Sequence, residues 1–317
     1  MKSEKPKVAI VGAGSVGSTF AFSLMESGLV REITLIDRDE ARARGECMDL
    51  NHGLSFTHPT RIYAAGIEGC AGADVVVITA GAKQRPAQTR IDLAQENVII
   101  FKEIIPAIAR YAPEAILIVV TNPVDILTYV ALRISGFPAS RVFGSGTVLD
   151  TSRFRFLLSE HCNVDPRNVH AYIIGEHGDT ELPVFSNATI AGMPLREYCP
   201  LCNNHQCDYK QELQGIFERV KNAAYQIIEA KGATYYAVAL ALLRITEAVL
   251  RNENSILPVS TLIQDYYGIN DVCLSVPCLV HKGGVKQFLR LALSQEEQAA
   301  LQYSAQTLKA VLQGIKF

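Results

Sequence analysis

The sequence predicts an α/β chain: a doubly wound parallel sheet followed by a mixed α+β region. Three observations carry that expectation. Short apolar runs at residues 8–11, 33–36, 60–64, 75–79, 116–121 and 142–143 alternate with helical patterns that include 18–27, 41–50 and 92–111, as strands joined by crossover helices do. The runs at 74–79 and 115–120 are apolar at nearly every position, which suits strands covered by helices on both faces. Beyond residue 145 the alternation stops, so the chain is expected to divide into a first domain at 1–145 and a second at 146–317. With 317 residues, 49% of them hydrophobic, it can bury two cores of ordinary size.

The first strand, 8–11, runs into Gly12-Ala13-Gly14-Ser15-Val16-Gly17 and then a helix. Gly12 allows the tight turn, Gly14 lets a pyrophosphate approach the backbone, and Gly17 lets the helix pack closely on the strand. The open amides of the helix N-terminus then face the phosphates. The second strand ends in Asp37, 20 residues past Gly17. A carboxylate there accepts hydrogen bonds from ribose hydroxyls and repels a 2′-phosphate, which points to NAD rather than NADP and to a Rossmann-type first domain. Ligands of such sheets lie beyond the carboxyl ends of the strands, where Ala80, Gly81 and Ala82 follow the fourth strand and Thr121-Asn122-Pro123 the fifth. Asn122 could hydrogen-bond substrate or the nicotinamide ribose, or serve only as half of an Asn-Pro turn.

The second region opens with a helix at 150–161 and continues through a strand at 169–174 into Gly175-Glu176-His177-Gly178-Asp179. Asp150, Arg153 and His177 make a set suited to reducing a small keto acid. A ketone accepting hydride develops negative charge on oxygen, and an imidazolium is the natural proton donor near neutral pH. Asp150 can orient the ring and favour its charged form. Arg153 lies three residues on, on the same helix face, and offers a planar fork to a carboxylate. A polar loop then leads to helices at about 209–231 and 234–251. The latter is apolar almost all round and is expected to be buried within the domain or in a subunit interface. Extended segments at 255–266 and 271–280 follow, and Ser294 and Glu297 form a capping box that opens a last helix.

The net charge of −2 gives no basic footprint for nucleic acid or an anionic membrane. The apolar runs are too short to span a bilayer, and the polar residues 1–7 leave no room for a signal peptide, so a cytoplasmic location is expected. Eight cysteines without an even framework read as free thiols. Cys199, Cys202, His205 and Cys207 group four soft ligands in nine residues, as a tetrahedral zinc site would. No second ligand pair accompanies them, so they are read as an exposed loop and no metal is expected.

Taken in order, the glycine turn, Asp37, Thr121-Asn122-Pro123-Val124-Asp125, Gly144 to Asp150, Arg153 and the 175–179 turn resemble the NAD-dependent 2-hydroxy-acid dehydrogenases of the lactate/malate type, and most of all their bacterial L-lactate branch. The resemblance covers essentially the whole chain. It implies that His177 exchanges a proton with pyruvate and lactate, that Asp150 pairs with it, and that Arg153 grips the substrate carboxylate. Residues 81–90 resemble a loop that closes over substrate and brings Arg90 to the ketone oxygen. Gln84 stands where malate-type members carry arginine, which favours pyruvate over oxaloacetate, although Arg85 beside it would supply a cation if the register shifted by one. Thr234 would confine the substrate side chain, and Val238 would wall the nicotinamide. The cofactor contacts implied are Gly12, Gly14, Val16, Gly17, Asp37, Thr79, Ala80, Gly81, Asn122, Ser145 and Val238. Arg155 and His170 match positions that bind fructose 1,6-bisphosphate across a subunit interface, which implies a homo-oligomer, a tetramer in this branch, with allosteric activation left open. The alternatives are a malate-type or other 2-hydroxy-acid dehydrogenase and, from a different class, a non-catalytic NAD-binding protein.

Overall fold

The computed structural model describes residues 6–82, 89–199 and 209–317. The first half builds β1 (Lys7–Val11), α1 (Ser15–Ser27), β2 (Glu32–Ile36), α2 (Glu40–His52), β3 (Arg61–Ala65), β4 (Val75–Ile78), α3 (Arg90–Tyr111), β5 (Ile116–Val119), α4 (Val124–Ser135) and β6 (Val142–Gly144). The six strands pair in parallel in the order β3-β2-β1-β4-β5-β6. β1, β4 and β5 are buried along almost their whole length, as strands must be when helices cover both faces. The order reverses between β1 and β4, leaving a crevice at the carboxyl ends of those strands.

The second half adds α5 (Val148–Cys162), β7 (Val169–His170), β8 (Ile173–Ile174), β9 (Leu182–Pro183), β10 (Thr189–Ile190), β11 (Met193–Pro194), α6 (Leu195–Tyr198), α7 (Tyr209–Lys231), α8 (Tyr236–Leu250), β12 (Ser255–Ile263), β13 (Val272–His281), β14 (Gly284–Phe288) and α9 (Gln295–Gln313). β12, β13 and β14 extend the first sheet. β12 pairs antiparallel with β6 at Ser260 and Gly144, giving nine strands in one sheet. The main core therefore runs from Val8 through Leu274 to Leu308, across residue 145. A separate core lies among α5, β7, β10 and α7, around Phe154, Leu158 and Phe217.

One expectation needs correction: the strand expected at 169–174 is two short strands in different sheets, because β7 pairs with β10 and β8 with β9. The apolar helix α8 buries one face within the chain, with Ala239, Leu242, Ile245 and Val249 inside, while Tyr236 and Leu240 are exposed. Among the described residues no helix is long and apolar enough to cross a membrane.

Candidate active site

The glycine turn forms because β1 ends where backbone conformation must reverse. Gly12 has φ 113°, and its N–H donates to the Ile36 carbonyl at 2.7 Å, tying the turn to β2. A Cβ on Gly17 would stand 1.9 Å from the Gly12 carbonyl oxygen, so only glycine permits this approach of α1 to the turn. A Cβ on Gly14 would meet no protein atom within 4 Å, so the space above the turn is open. α1 has no side-chain N-cap and no acidic residue in its first turn, which leaves its first amides directed at that space. Asp37 sits at its rim, accepting the Ala13 N–H at 2.7 Å and the Asp39 N–H at 2.9 Å. Val16, Thr79 and Ala80 are half-buried beside it, and Gly81 is exposed. Thr79 Oγ1 donates to the Gly12 carbonyl at 2.8 Å. A dinucleotide's pyrophosphate and ribose fit this donor set and this open space.

Further along the strand ends, the side chain of the buried Asn97 on α3 accepts the Ala82 N–H at 2.7 Å and donates to the Asn122 carbonyl at 2.8 Å. It thereby ties the segment leaving β4 to the Asn122 turn. Asn122 is exposed, and Ser145 is half-buried, its N–H on the Val119 carbonyl. Arg90 is the first residue of α3, while Gln84 and Arg85 lie outside the described residues. Thr234 is half-buried in the break between α7 and α8, and Val238 packs against the main core.

His177 belongs to a turn gripped from three directions. Gly175 forms a two-way bridge with Ser275 of β13, at 2.8 Å each way. The Glu176 N–H donates to Ser304 Oγ of α9 at 2.8 Å, and the His177 N–H donates to Asp125 Oδ2 of α4 at 2.7 Å. Asp125 is buried, and its other oxygen accepts from Ser260 Oγ at 2.6 Å; burial outweighs these bonds and raises its pKa to about 6. α5 is stitched to β8 because Thr147 Oγ1 donates to the Ile173 carbonyl at 2.6 Å and the Ile173 N–H donates to Thr151 Oγ1 at 2.9 Å. That stitching sets Asp150 beside the turn.

Asp150, 3% exposed, bridges two cations: Oδ2 lies 2.6 Å from His177 Nδ1, and Oδ1 accepts from the Arg153 guanidinium at 2.9 Å. Burial alone would lower the His177 pKa, but the Asp150 carboxylate, helped by Asp125, raises it to about 9. Burial pulls Asp150 the other way, yet His177 and Arg153 hold its carboxyl below the usual range. The imidazolium is therefore the resting form at neutral pH, with an oriented acid beside an anion-binding guanidinium.

Sequence reasoning did not single out Asn97, Ser260 or Glu181, and named Asp125 only as the end of a motif, with no role. A polar side chain set into an apolar helix was the available signal for Asn97 and Asp125; Ser260 and Glu181 gave none. Arg155, by contrast, had been singled out, and its Nε donates to the carbonyl of Ala171, next to the exposed His170. Cys199 is buried rather than exposed, with its sulfur 3.2 Å from His161 Nε2; Cys202, His205 and Cys207 lie outside the described residues. Burial pushes the thiols of Cys47, Cys70, Cys273 and Cys278 up, as suits packed, unreactive cysteines.

Comparison with known proteins agrees with this geometry. Residues 6–144 match the lactate/malate dehydrogenase NAD-binding domain, and residues 147–316 match the alpha/beta C-terminal domain of the same family. An L-lactate dehydrogenase of Acetivibrio thermocellus is 57% identical over 306 residues, 96% of each chain. L-lactate dehydrogenase 1 of Clostridium acetobutylicum is 52% identical over 309 residues, 98% of each chain. The crystal structure of a minor L-lactate dehydrogenase from Enterococcus mundtii in a ligand-bound form superposes with a TM-score of 0.95 at 40% identity, covering 99% of this chain and 100% of that one. The nine-stranded sheet, the NAD-binding crevice and the His177–Asp150 pair thus lie in a chain that belongs to the lactate/malate dehydrogenase family.

Proposed function

We propose that the chain reversibly reduces pyruvate to L-lactate with NADH, His177 giving and retaking the proton. The observation that carries this is the triad in which the buried Asp150 holds both the His177 imidazolium and the Arg153 guanidinium. Bound NADH supplies the hydride. Arg153 fixes the substrate carboxylate, and His177 transfers its proton from Nε2 as charge grows on the ketone oxygen. Asp150 keeps the ring in that tautomer. Arg90 adds a second positive charge at that oxygen when residues 81–90 close, and Gln84 leaves no cation for a second carboxylate. Thr234 limits the size of the substrate side chain, and Val238, Asn122 and Ser145 surround the nicotinamide end. The domain division is placed at 145/146, with every proposed cofactor contact except Val238 before it and proton transfer after it.

The proposal extends to assembly, effector and location. Phe22, Met48, Phe56, Tyr236 and Leu240 are exposed on or beside α1, α2 and α8, an apolar surface suited to a second copy. Arg155 and His170 lie at a second surface, where a sugar bisphosphate such as fructose 1,6-bisphosphate would join copies into a tetramer. The protein is read as cytoplasmic, with no nucleic-acid or membrane partner and no metal.

The test is NADH oxidation with pyruvate and with oxaloacetate. A higher kcat/KM on pyruvate is expected. Preference for oxaloacetate would replace the reading with a malate-type one, and no turnover of any 2-keto acid would leave a non-catalytic NAD-binding protein.

A further inference from the structure

One carboxyl in the site has no role in the reaction just described. Glu181, at the end of the His177 turn, is 7% exposed, and a side-chain oxygen of Glu181, one of Asp150 and a ring nitrogen of His177 all lie within 4.8 Å of one another. Its N–H closes the turn on the Gly178 carbonyl at 3.1 Å, which fixes where the side chain starts. A buried carboxylate this close to another is costly to ionise, and such a group keeps its proton instead.

The charges around it make that proton consequential. From α5 come Asp150 and Arg153, from the turn His177, and from α7 Lys221. Asp125 of α4 acts on His177 from behind, and Glu176 is bonded to Thr180. α9 contributes the neutral Ser304. An ionised Glu181 would set a second buried carboxylate beside that of Asp150 and close to the substrate's own carboxylate.

We propose that Glu181 is a positioning residue that must be protonated for the site to take a 2-keto acid, so that its ionisation sets an alkaline limit on substrate capture beside the loss of the His177 proton. This rests on the pyruvate reduction proposed above. Burial, then the charge of Asp150, raise its pKa far above the ordinary carboxylate range, towards that of His177. The two protons are therefore lost over one interval and belong to the pair. A divalent cation is the poorer occupant of the cluster, since Arg153 already sits on Asp150.

The experiment is the pH dependence of kcat/KM for pyruvate at saturating NADH, from about pH 6 to about pH 10.5. The wild-type value is expected to fall on the alkaline side with a limiting slope of about two logarithmic units per pH unit, for two protons. Glu181→Gln, neutral at every pH, should fall with a slope of about one, and Glu181→Asp should keep about two. A slope of about one in the wild type, or of about two in Glu181→Gln, overturns the proposal. Proton uptake on binding oxamate, the unreactive amide analogue of pyruvate, to the NADH complex at about pH 10 needs no turnover and no variant: about two protons support the proposal and about one overturns it. Should the wild type reduce no 2-keto acid, the reaction itself is misassigned, a result distinct from a one-proton limb in an active enzyme.

Discussion

Asp150 answers two demands with one side chain. It raises the proton affinity of His177 through Oδ2 while Oδ1 steadies the guanidinium of Arg153. The sign of its effect on pH dependence follows. With Asp150 charged, the imidazolium persists to about pH 9, so the donor form is full at neutral pH. Asp150→Asn removes the attraction and leaves the burial that favours neutral imidazole, so the His177 pKa falls and the alkaline limb of pyruvate reduction moves to lower pH. General acid catalysis is worth about 10²–10⁴ in rate, and a loss of kcat of about a hundredfold or more near neutral pH is expected, measured by NADH absorbance. An unmoved limb in an active Asp150→Asn enzyme would detach Asp150 from the proton. At this scale the sequence showed which residue types were present and in what spacing. It did not show that Asp125 would take the His177 N–H, because the two are 52 positions apart and nothing local pairs them.

At the scale of elements, the turn between β1 and α1 separates two uses of glycine. A Cβ on Gly17 would overlap the Gly12 carbonyl, whereas one on Gly14 would project into the open crevice. Gly17→Ala is therefore expected to destabilise the fold by about 1–3 kcal/mol, as overpacking does, and to weaken NADH binding together with it. Gly14→Ala should leave the unfolding temperature nearly unchanged and still weaken NADH, since only the cofactor meets its methyl. Thermal unfolding and fluorescence titration with NADH separate the two, and equal thermal losses would sink the distinction. Periodicity had indicated α8 as apolar on all sides, and only packing showed that Tyr236 and Leu240 face outward on the isolated chain. The short β7 and β8 were beyond reach for another reason: two residues each pair with different partners, and no local pattern encodes the partner.

For the whole molecule, the proposed assembly links a surface to the active site. α5 carries Arg155 on the same helix as Asp150 and Arg153, so an anion held at Arg155 and His170 bears on the element that positions the acid and the clamp. A sugar bisphosphate is expected to raise the sedimentation coefficient towards a tetramer and lower the KM for pyruvate, and pyruvate with cofactor must tighten bisphosphate binding by the same factor. No change in either quantity, in wild type and in Arg155→Gln alike, would leave the two residues with no effector role. The sequence by itself determined the doubly wound sheet, the dinucleotide turn with Asp37, and the His177, Asp150 and Arg153 set, because strand periodicity, glycine stereochemistry and the demands of a proton donor are each written in short stretches. Tertiary structure alone decided that β12 joins β6 to make one nine-stranded sheet, that β13, α9 and α4 together lock the His177 turn, and that Glu181 comes to lie buried beside it. Those outcomes depend on contacts between segments far apart in the chain, where burial and the absence of water, which no local pattern records, fix both geometry and charge.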